Sequence, residues 1–436
     1  MDKTKTYLFI GAGAVVFILV LMIIGIIPGL QTTTDKGANL VMWGLEDPKT
    51  VWEPVMRDFQ VLYPNIKIQY IQKNVATLES ELVNTIAIGA PKAQIPDIVV
   101  FPSDRLLRQA NKLWLAPVGL ITEKQLKNDY IDAEEMFWSS AAQTVIGLPL
   151  YGDVLVLYSN KGLLTKHFLV RPAATWDEFI DYSRQITEKD PDGNIMIAGT
   201  AMGRSGNINN ASDIITALFL QFGENIVDEN GRVVLGKSTV QGQAQTAPAE
   251  SALQFFNNFA NPKKNTYAWS FASSEAQDMF ISGKLGMYIG FMSEYETLRA
   301  KNPHLDITVS LLPQLTNAPR PITTGKLYLM AVPRTAPSAA AAWNVIAYFT
   351  GEGNPKVADA MKTASPRRGV LPSYQKEAVR SVFADSLLAL KLWRMPEPNA
   401  TKNIFNTMIE DLAFGRGTTA DVLRNANAQL GRLLPK

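Results

Sequence analysis

The sequence predicts an α/β protein of two packed bodies behind one apolar N-terminal segment. Three observations carry that expectation. Strand-like and helix-like segments alternate from Asn39 to Phe101, a broken extended segment lies at Ile146–Lys161, and Tyr7–Leu30 runs 24 residues without a charge. An alternating β-α-β-α-β order argues for a largely parallel sheet.

The first strand is read at Asn39–Gly44. Pro54 is tolerable only in a first helical turn, so a helix is predicted from near Thr50, burying Val55, Phe59 and Leu62 and ending at Tyr63-Pro64-Asn65. Ile66, Ile68 and Tyr70 alternate with polar residues, as a half-buried strand does. A second helix places Leu78, Leu82, Val83 and Ile86 on one face and stops at Gly89, before a third strand at Ile95–Phe101.

Ile146–Lys161 reads IGLPLYGDVLVLYSNK. Its second half is aliphatic and β-branched enough for a buried strand, while Pro149 lacks a backbone donor and Gly152 lacks a side chain. Such a segment suits a crossing between two bodies, with Tyr151 and Asp153 facing the gap; taken alone, the stretch also reads as an ordinary edge strand. Thr175–Glu178 has the spacing of a capping box, and the helix after it buries Phe179, Tyr182 and Ile186. Further helices are expected over Ala211–Phe222, Pro248–Ala260, Ser274–Ser282 and Ala336–Phe349, and strands over Leu285–Ile289, Ile307–Leu311 and Lys326–Val332. From Gln375 onward the pattern is helical, with a second capping box at Thr418–Asp421.

At about 1.5 Å per residue, Tyr7–Leu30 is long enough for a hydrocarbon core of roughly 30 Å. Lys3 and Lys5 precede it, which keeps residues 1–6 cytoplasmic. A cleaved signal peptide is the competing reading; the apolar run exceeds its usual core, and no small-x-small site follows. An uncleaved anchor is expected, then a tether at 31–37, with the globular part at the outer face of the cell membrane.

The 436 residues are 47% hydrophobic and 19% charged, which supports sizeable cores and argues against disorder. With a net charge of +2 and no basic run interleaved with aromatics, nucleic acid is not an expected partner. The absence of cysteine excludes a thiol nucleophile, a Cys-ligated metal, a disulfide and a lipid-anchor cysteine. His167 and His304 are the two histidines, neither at metal-ligand spacing. No nucleophile elbow or phosphate loop is present. Glu46/Asp47, Glu134/Glu135 and Glu410/Asp411 are the acid pairs open to a glycosidase reading, but neighbouring acids are normally solvated. No enzymatic activity, metal or cofactor is expected.

The order and spacing of VMWG (41–44), FQVLYPNIKI (59–68), IPDIVVFPSD (95–104), GLPLYGDVLVLYSNK (147–161) and TWDEF (175–179) resemble the extracellular solute-binding proteins of the maltose-binding class. FISGKLGMYI (280–289), VSLLP (309–313), the Gly325–Pro333 strand and RRGVLP (367–372) continue the resemblance, which covers nearly all of Asn39–Leu434. It implies a two-lobe periplasmic-binding-protein-like (type II) fold with a hinge and an interlobe cleft. Lobe one would be 38–149 and 313–368, and lobe two 150–312 and 369–436. The crossings would be Pro149–Asp153, Ser310–Pro313 and Arg368–Pro372.

The resemblance also implies which positions face the cleft. Trp43 ends the first strand, with Glu46 three residues on; Asp104 and Arg105 follow the third strand; Tyr151 and Asp153 sit at the crossing. Met292 stands where sugar-binding members often carry Trp, which weakens the case for a stacked ring there. Trp269, Tyr328 and Trp393 are candidate substitutes, each also readable as core. Asn207 and Asn209 fall in a loop that could reach ligand but reads more readily as a plain turn, and Arg368 binds an anion or braces the hinge. The implied function is capture of a small-molecule ligand, a carbohydrate, and its delivery to the permease subunits of an ABC transporter. The alternative is an anchored sensory or interaction protein on the same fold.

Overall fold

The computed structural model describes residues 37–434, apart from 47, 88–90, 92–93, 133–135, 238 and 242–243. Its principal sheet is built from β1 (Ala38–Gly44), β2 (Ile66–Gln72), β3 (Ile98–Pro102), β4 (Leu148–Asn160), β5 (Ile195–Thr200), β6 (Leu285–Phe291), β7 (Ile307–Leu311) and β8 (Gly325–Pro333). The spatial order is β2-β1-β3-β8-β4-β6-β5, with β7 also on β4. β1, β2 and β3 are parallel, β8 is antiparallel to β3 and β4, and β6 is parallel to β5 and antiparallel to β4.

β4 belongs to both halves of this sheet. Leu148–Val154 pairs with β8, whereas Leu155–Ser159 pairs with β6 and Val156–Asn160 with β7. The extended chain therefore runs straight through Pro149. The disturbance appears as a register shift opposite Tyr328/Leu329, where Tyr151 and Pro149 find partners and Leu150 is skipped. A missing donor at Pro149 is thus absorbed by a bulge rather than by a break.

Each half buries its own aromatic core. In the first, Trp52 stacks on Phe349 at 6.0 Å and Phe59 meets Tyr63 at 4.6 Å. The buried Asp97 carboxylate accepts the Val41 amide at 3.0 Å and the Ser338 amide at 2.8 Å, tying β1 to the start of the Ala339–Thr350 helix. In the second, Trp176, Phe179, Phe255 and Phe259 pack edge-to-face, and the helices Pro398–Ala413 and Thr419–Gly431 close over Ala211–Gln221 and Pro248–Asn258.

The elements follow the local signals, with physical departures. Leu62 is 57% and Val83 42% exposed, because each helix buries a narrower stripe than its apolar residues offer. Thr175 caps its helix, accepting the Glu178 amide at 3.2 Å, but the Glu178 carboxylate goes to the Ala174 amide and Arg171 instead of completing the box. The Thr418–Asp421 box is complete. Beyond Gln375 the helices are interrupted between Leu388 and Pro398, where Thr323 and Leu390 form a bridge. The expected stop at Gly89 and the Tyr7–Leu30 segment lie outside the described residues. Among the described residues no helix is long and apolar enough to cross a membrane.

Gly325 begins β8 directly against β4. A Cβ there meets the Asp153 carbonyl oxygen at 2.2 Å and Val154 Cα at 2.6 Å, both backbone atoms that cannot rotate away. Gly325→Ala is therefore expected to destabilise by about 1–3 kcal/mol, the range for forced overpacking. Gly369→Ala, where a Cβ meets nothing within 4 Å, should stay within about 0.5 kcal/mol. Urea midpoints of the two variants check the contrast.

Candidate functional site

The carboxyl ends of β1, β2 and β3 all open toward one edge, the place where ligands meet parallel sheets. Leu45 and Glu46 follow β1, Lys73–Val75 follow β2, and Ser103–Arg105 form a single turn after β3. Leu45, Glu46, Gln72, Lys73, Asn74, Val75 and Tyr328 line a cavity of about 530 Å³ here. That lies within the roughly 300–1,000 Å³ of small-molecule sites. From the other half, β6 ends at Phe291 beside Leu155, which brings Met292–Glu294 to the same edge.

At the junction Tyr151 stacks on Tyr328, with ring centroids 4.4 Å apart and planes inclined by 16°. The two are cross-strand neighbours, so the β4–β8 register fixes the stack. Burial pushes both phenols up, reinforced for Tyr151 by the Tyr328, Glu46 and Asp153 charges. Asp153 accepts the Ser293 amide at 3.0 Å and the Ser293 hydroxyl at 2.7 Å. Even so, burial pushes its carboxyl up to about 6.

Trp43 is 2% exposed, and the Lys73 ammonium lies 4.2 Å from its ring centroid, held there by Glu81 at 2.7 Å. Lys73 thus covers the indole with a cation–π contact. Glu46 is half-buried in the cavity wall, and burial pushes its carboxyl up. Asp104 pairs with Lys326 at 3.1 Å. Arg105 gives its guanidinium to Glu79 at 2.9 Å, so its fork is occupied within its own lobe. Arg108, one helical turn on, reaches Glu397 at 3.1 Å, the same carboxylate that caps the Pro398–Ala413 helix.

Other candidates stand elsewhere. Trp269 is fully buried, its indole nitrogen donating to Asn207 Oδ1 at 2.9 Å, while Asn207 Nδ2 donates to the Ser270 and Ser273 carbonyls. These two residues brace a loop inside the second lobe rather than line the cleft. Met292 is 3% exposed and its amide donates to the Val154 carbonyl at 3.0 Å, extending the sheet at the crossing. Arg368 pairs with Asp132 at 2.5 Å and donates to the Lys127 carbonyl. Asn209 is exposed, and Trp393 stacks on Phe405 at 6.4 Å. Glu410 accepts the Ser205 amide at 2.6 Å and pairs with Arg204 at 2.5 Å, a structural carboxylate.

Sequence reasoning missed Lys73, Lys326 and Ser293. Lys326 was within reach, since it opens a strand whose alternate residues are apolar. The others depend on pairings across the fold.

The family model for bacterial extracellular solute-binding proteins matches residues 43–354. A galactooligosaccharide-binding protein of Bacillus subtilis (strain 168) is 24% identical over 160 residues, 36% of this chain and 34% of that relative's length. Among solved structures, the sugar-binding protein MalE from Xanthomonas citri superposes with a TM-score of 0.73 at 16% identity, covering 91% of this chain and 97% of that one. A cyclo/maltodextrin-binding protein complexed with maltotetraose gives 0.70 at 17% identity, covering 90% and 96%. A solute-binding protein from Thermotoga lettingae bound with α-D-tagatose gives 0.63 at 20% identity, covering 91% and 100%. At these identities the likeness to solved structures is one of fold, the two-lobe α/β fold of periplasmic binding proteins.

The raised Asp153 carboxyl has a sign that can be checked. Its folded value, about 6, exceeds the reference value of 3.8, so between the two the native state binds the extra proton. Stability from this group is therefore full below the lower value and is lost as pH rises through the upper one. Asp153→Asn keeps a partner for both Ser293 contacts and removes the titration. Its urea midpoint is expected to fall less than the wild-type midpoint between pH 4 and pH 7.

Proposed function

The chain belongs to the bacterial extracellular solute-binding protein family, and we propose that its interlobe cleft captures a carbohydrate and hands it to the permease of an ABC importer. Members of this family are binding proteins, not enzymes, and their globular part works outside the cytoplasm. The single observation that carries the carbohydrate reading is the cavity beside the Tyr151–Tyr328 stack. Glu46, Gln72, Lys73 and Asn74 line it, with Tyr328 as its aromatic wall. Sugars need that combination: an apolar ring face to cover their C–H surface, and donors and acceptors for the hydroxyls. Solved relatives of the same fold hold maltotetraose and tagatose, which favours the same class of ligand here.

Lobe one is taken as 38–149 with 313–368, and lobe two as 150–312 with 369–436. Three chain crossings leave closure as a rotation about few residues. Glu46, Trp43 and Asp104 act from lobe one, and Tyr151, Asp153 and Met292 from the junction. Tyr7–Leu30 serves as an uncleaved anchor, so that capture and delivery occur within reach of the seven-residue tether 31–37.

The full chain in mild detergent is expected to show a raised melting temperature with one oligosaccharide class. At 100 times its dissociation constant a ligand adds about 2.7 kcal/mol. A panel of mono-, di- and oligosaccharides read by thermal shift checks this, and a flat response across the panel would refute it. Glu46→Ala should weaken the responding sugar by about tenfold, the value of one hydrogen bond to a charged group, without lowering the ligand-free melting temperature.

A further inference from the structure

The amino-terminal side of the parallel strands, opposite the cavity, carries apolar surface that the core does not use. The chain enters the fold there. Ala38 opens β1, and its amide donates to the Asn65 carbonyl at 3.1 Å, just before β2 begins at Ile66. The helix Glu53–Leu62 ends three residues before Asn65 and leaves Val61 81% exposed, next to the exposed Leu62.

A second apolar stretch lies on the same side. Leu113–Ile121 reads LWLAPVGLI, without one charged residue. Leu113 and Trp114 pair with Pro333 and Val332 at the end of β8, and β8 is antiparallel to both β3 and β4. The Ala116 amide donates to the Val145 carbonyl at 2.8 Å, three residues before β4 opens at Leu148. Both ties hold the stretch at the starts of β3 and β4, away from the carboxyl ends of the parallel strands. Leu113 and Ala116 are buried and fix it, while Trp114 is 45% and Val118 81% exposed, with Leu115 exposed between them. Single apolar side chains on a surface need no explanation, but a pinned run that turns Trp, Leu and Val outward does.

The charges point the same way. The exposed Arg334 lies 5.4 Å from the centroid of the Trp114 ring and donates to the Leu113 carbonyl at 3.2 Å. Lys67, the second residue of β2, is also exposed. This side is made by residues 37–39, 61–67, 94–97, 112–121, 143–147 and 333–341. Their one acidic residue is Asp97, which is buried on the Val41 and Ser338 amides. Cations and a tryptophan above apolar side chains, with no exposed carboxylate among them, suit anionic headgroups and the upper acyl region of a bilayer. The tether supplies the proximity. Seven residues, 31–37, separate Tyr7–Leu30 from Ala38, and at full extension they span about 25 Å.

We propose that this side of the fold rests on the lipid surface, with Trp114 and Val118 in the headgroup layer and Lys67 and Arg334 on anionic headgroups. The inference rests on the anchor reading of Tyr7–Leu30 and goes beyond it. An anchor keeps the body near the membrane, whereas this contact decides which face it turns down. The cavity, at the carboxyl ends of the same strands, is then held away from the lipid and open to solute arriving from outside. Passing a ligand to a permease requires the contact to be released.

The chain has no cysteine, so one introduced thiol carries the only label. Val118→Cys, and as reference Val75→Cys beyond the carboxyl end of β2, are made in the full chain and labelled with a small environment-sensitive fluorophore. Each is placed in nanodiscs of phosphatidylethanolamine and phosphatidylglycerol, with co-elution showing that the disc holds the chain. The label at position 118 is expected to be quenched by nitroxide-bearing lipid. It should also be at least about threefold less accessible than the label at position 75 to a neutral water-soluble quencher. Equal accessibility of the two labels on a chain that co-elutes overturns the proposal and leaves the anchor standing. Shielding at position 118 without lipid quenching, the sign of contact between copies, overturns it too, as does shielding at position 75 instead. A chain that does not co-elute with the discs removes the anchor and the proposal together.

Discussion

The candidate site depends on one extended segment being shared by both halves of the principal sheet. β4 spends its first half paired with β8 and its second with β6 and β7, so a single backbone sets the distance between the lobes. The residues at the changeover, Tyr151 to Val154, are fixed by strand pairing rather than by loop conformation. That rigidity explains how side chains can be placed where the two halves of the sheet meet without being loose. Tyr151 is locked by its cross-strand neighbour Tyr328, and Asp153 by Ser293 on the strand end that approaches from the other side. The same constraint explains the small residues here. Gly325 can only be glycine because β8 lies against the β4 backbone, and Gly152 faces Leu387 of the Ala378–Leu388 helix, which packs onto the crossing.

Much of the fold was legible because its signals are local. Alternation at Ile66–Tyr70, Pro54 in a first turn and the Thr418–Asp421 box each act within a few residues, and each appears in the structure. Errors arose where a local pattern was wider than the surface that covers it, as at Leu62 and Val83. The crossing at Pro149 was recognisable as unusual, but the chain resolves it with a register shift, which depends on the partner strand and cannot be read from one segment.

The cleft residues were legible only as positions. The family resemblance picked out Trp43, at the carboxyl end of a strand where ligands gather, with Glu46 and Asp104, without saying what surrounds them. Partners decide the chemistry: Lys73 over Trp43, Lys326 on Asp104, Glu79 on Arg105. Each joins segments brought together by sheet order, and nothing in the spacing along the chain encodes them. Trp269 illustrates the converse. Its sequence context looks as open as that of a binding tryptophan, yet Asn207, 62 residues away, takes its indole proton and seals it into the lobe.

The bridge between Arg108 and Glu397 carries a consequence for how the molecule responds to its surroundings. Glu397 is already engaged at the head of its own helix, so losing Arg108 leaves it neither stranded nor strained. Both ends of the bridge are partly open to water, where such a pair contributes about 0–1 kcal/mol and weakens as salt accumulates. It is therefore a light tie between the turn after β3 and the head of that helix, worth a factor of about five at most. A member of a family whose globular part works outside the cytoplasm meets water of changing salinity, and this tie is a contact that such changes loosen.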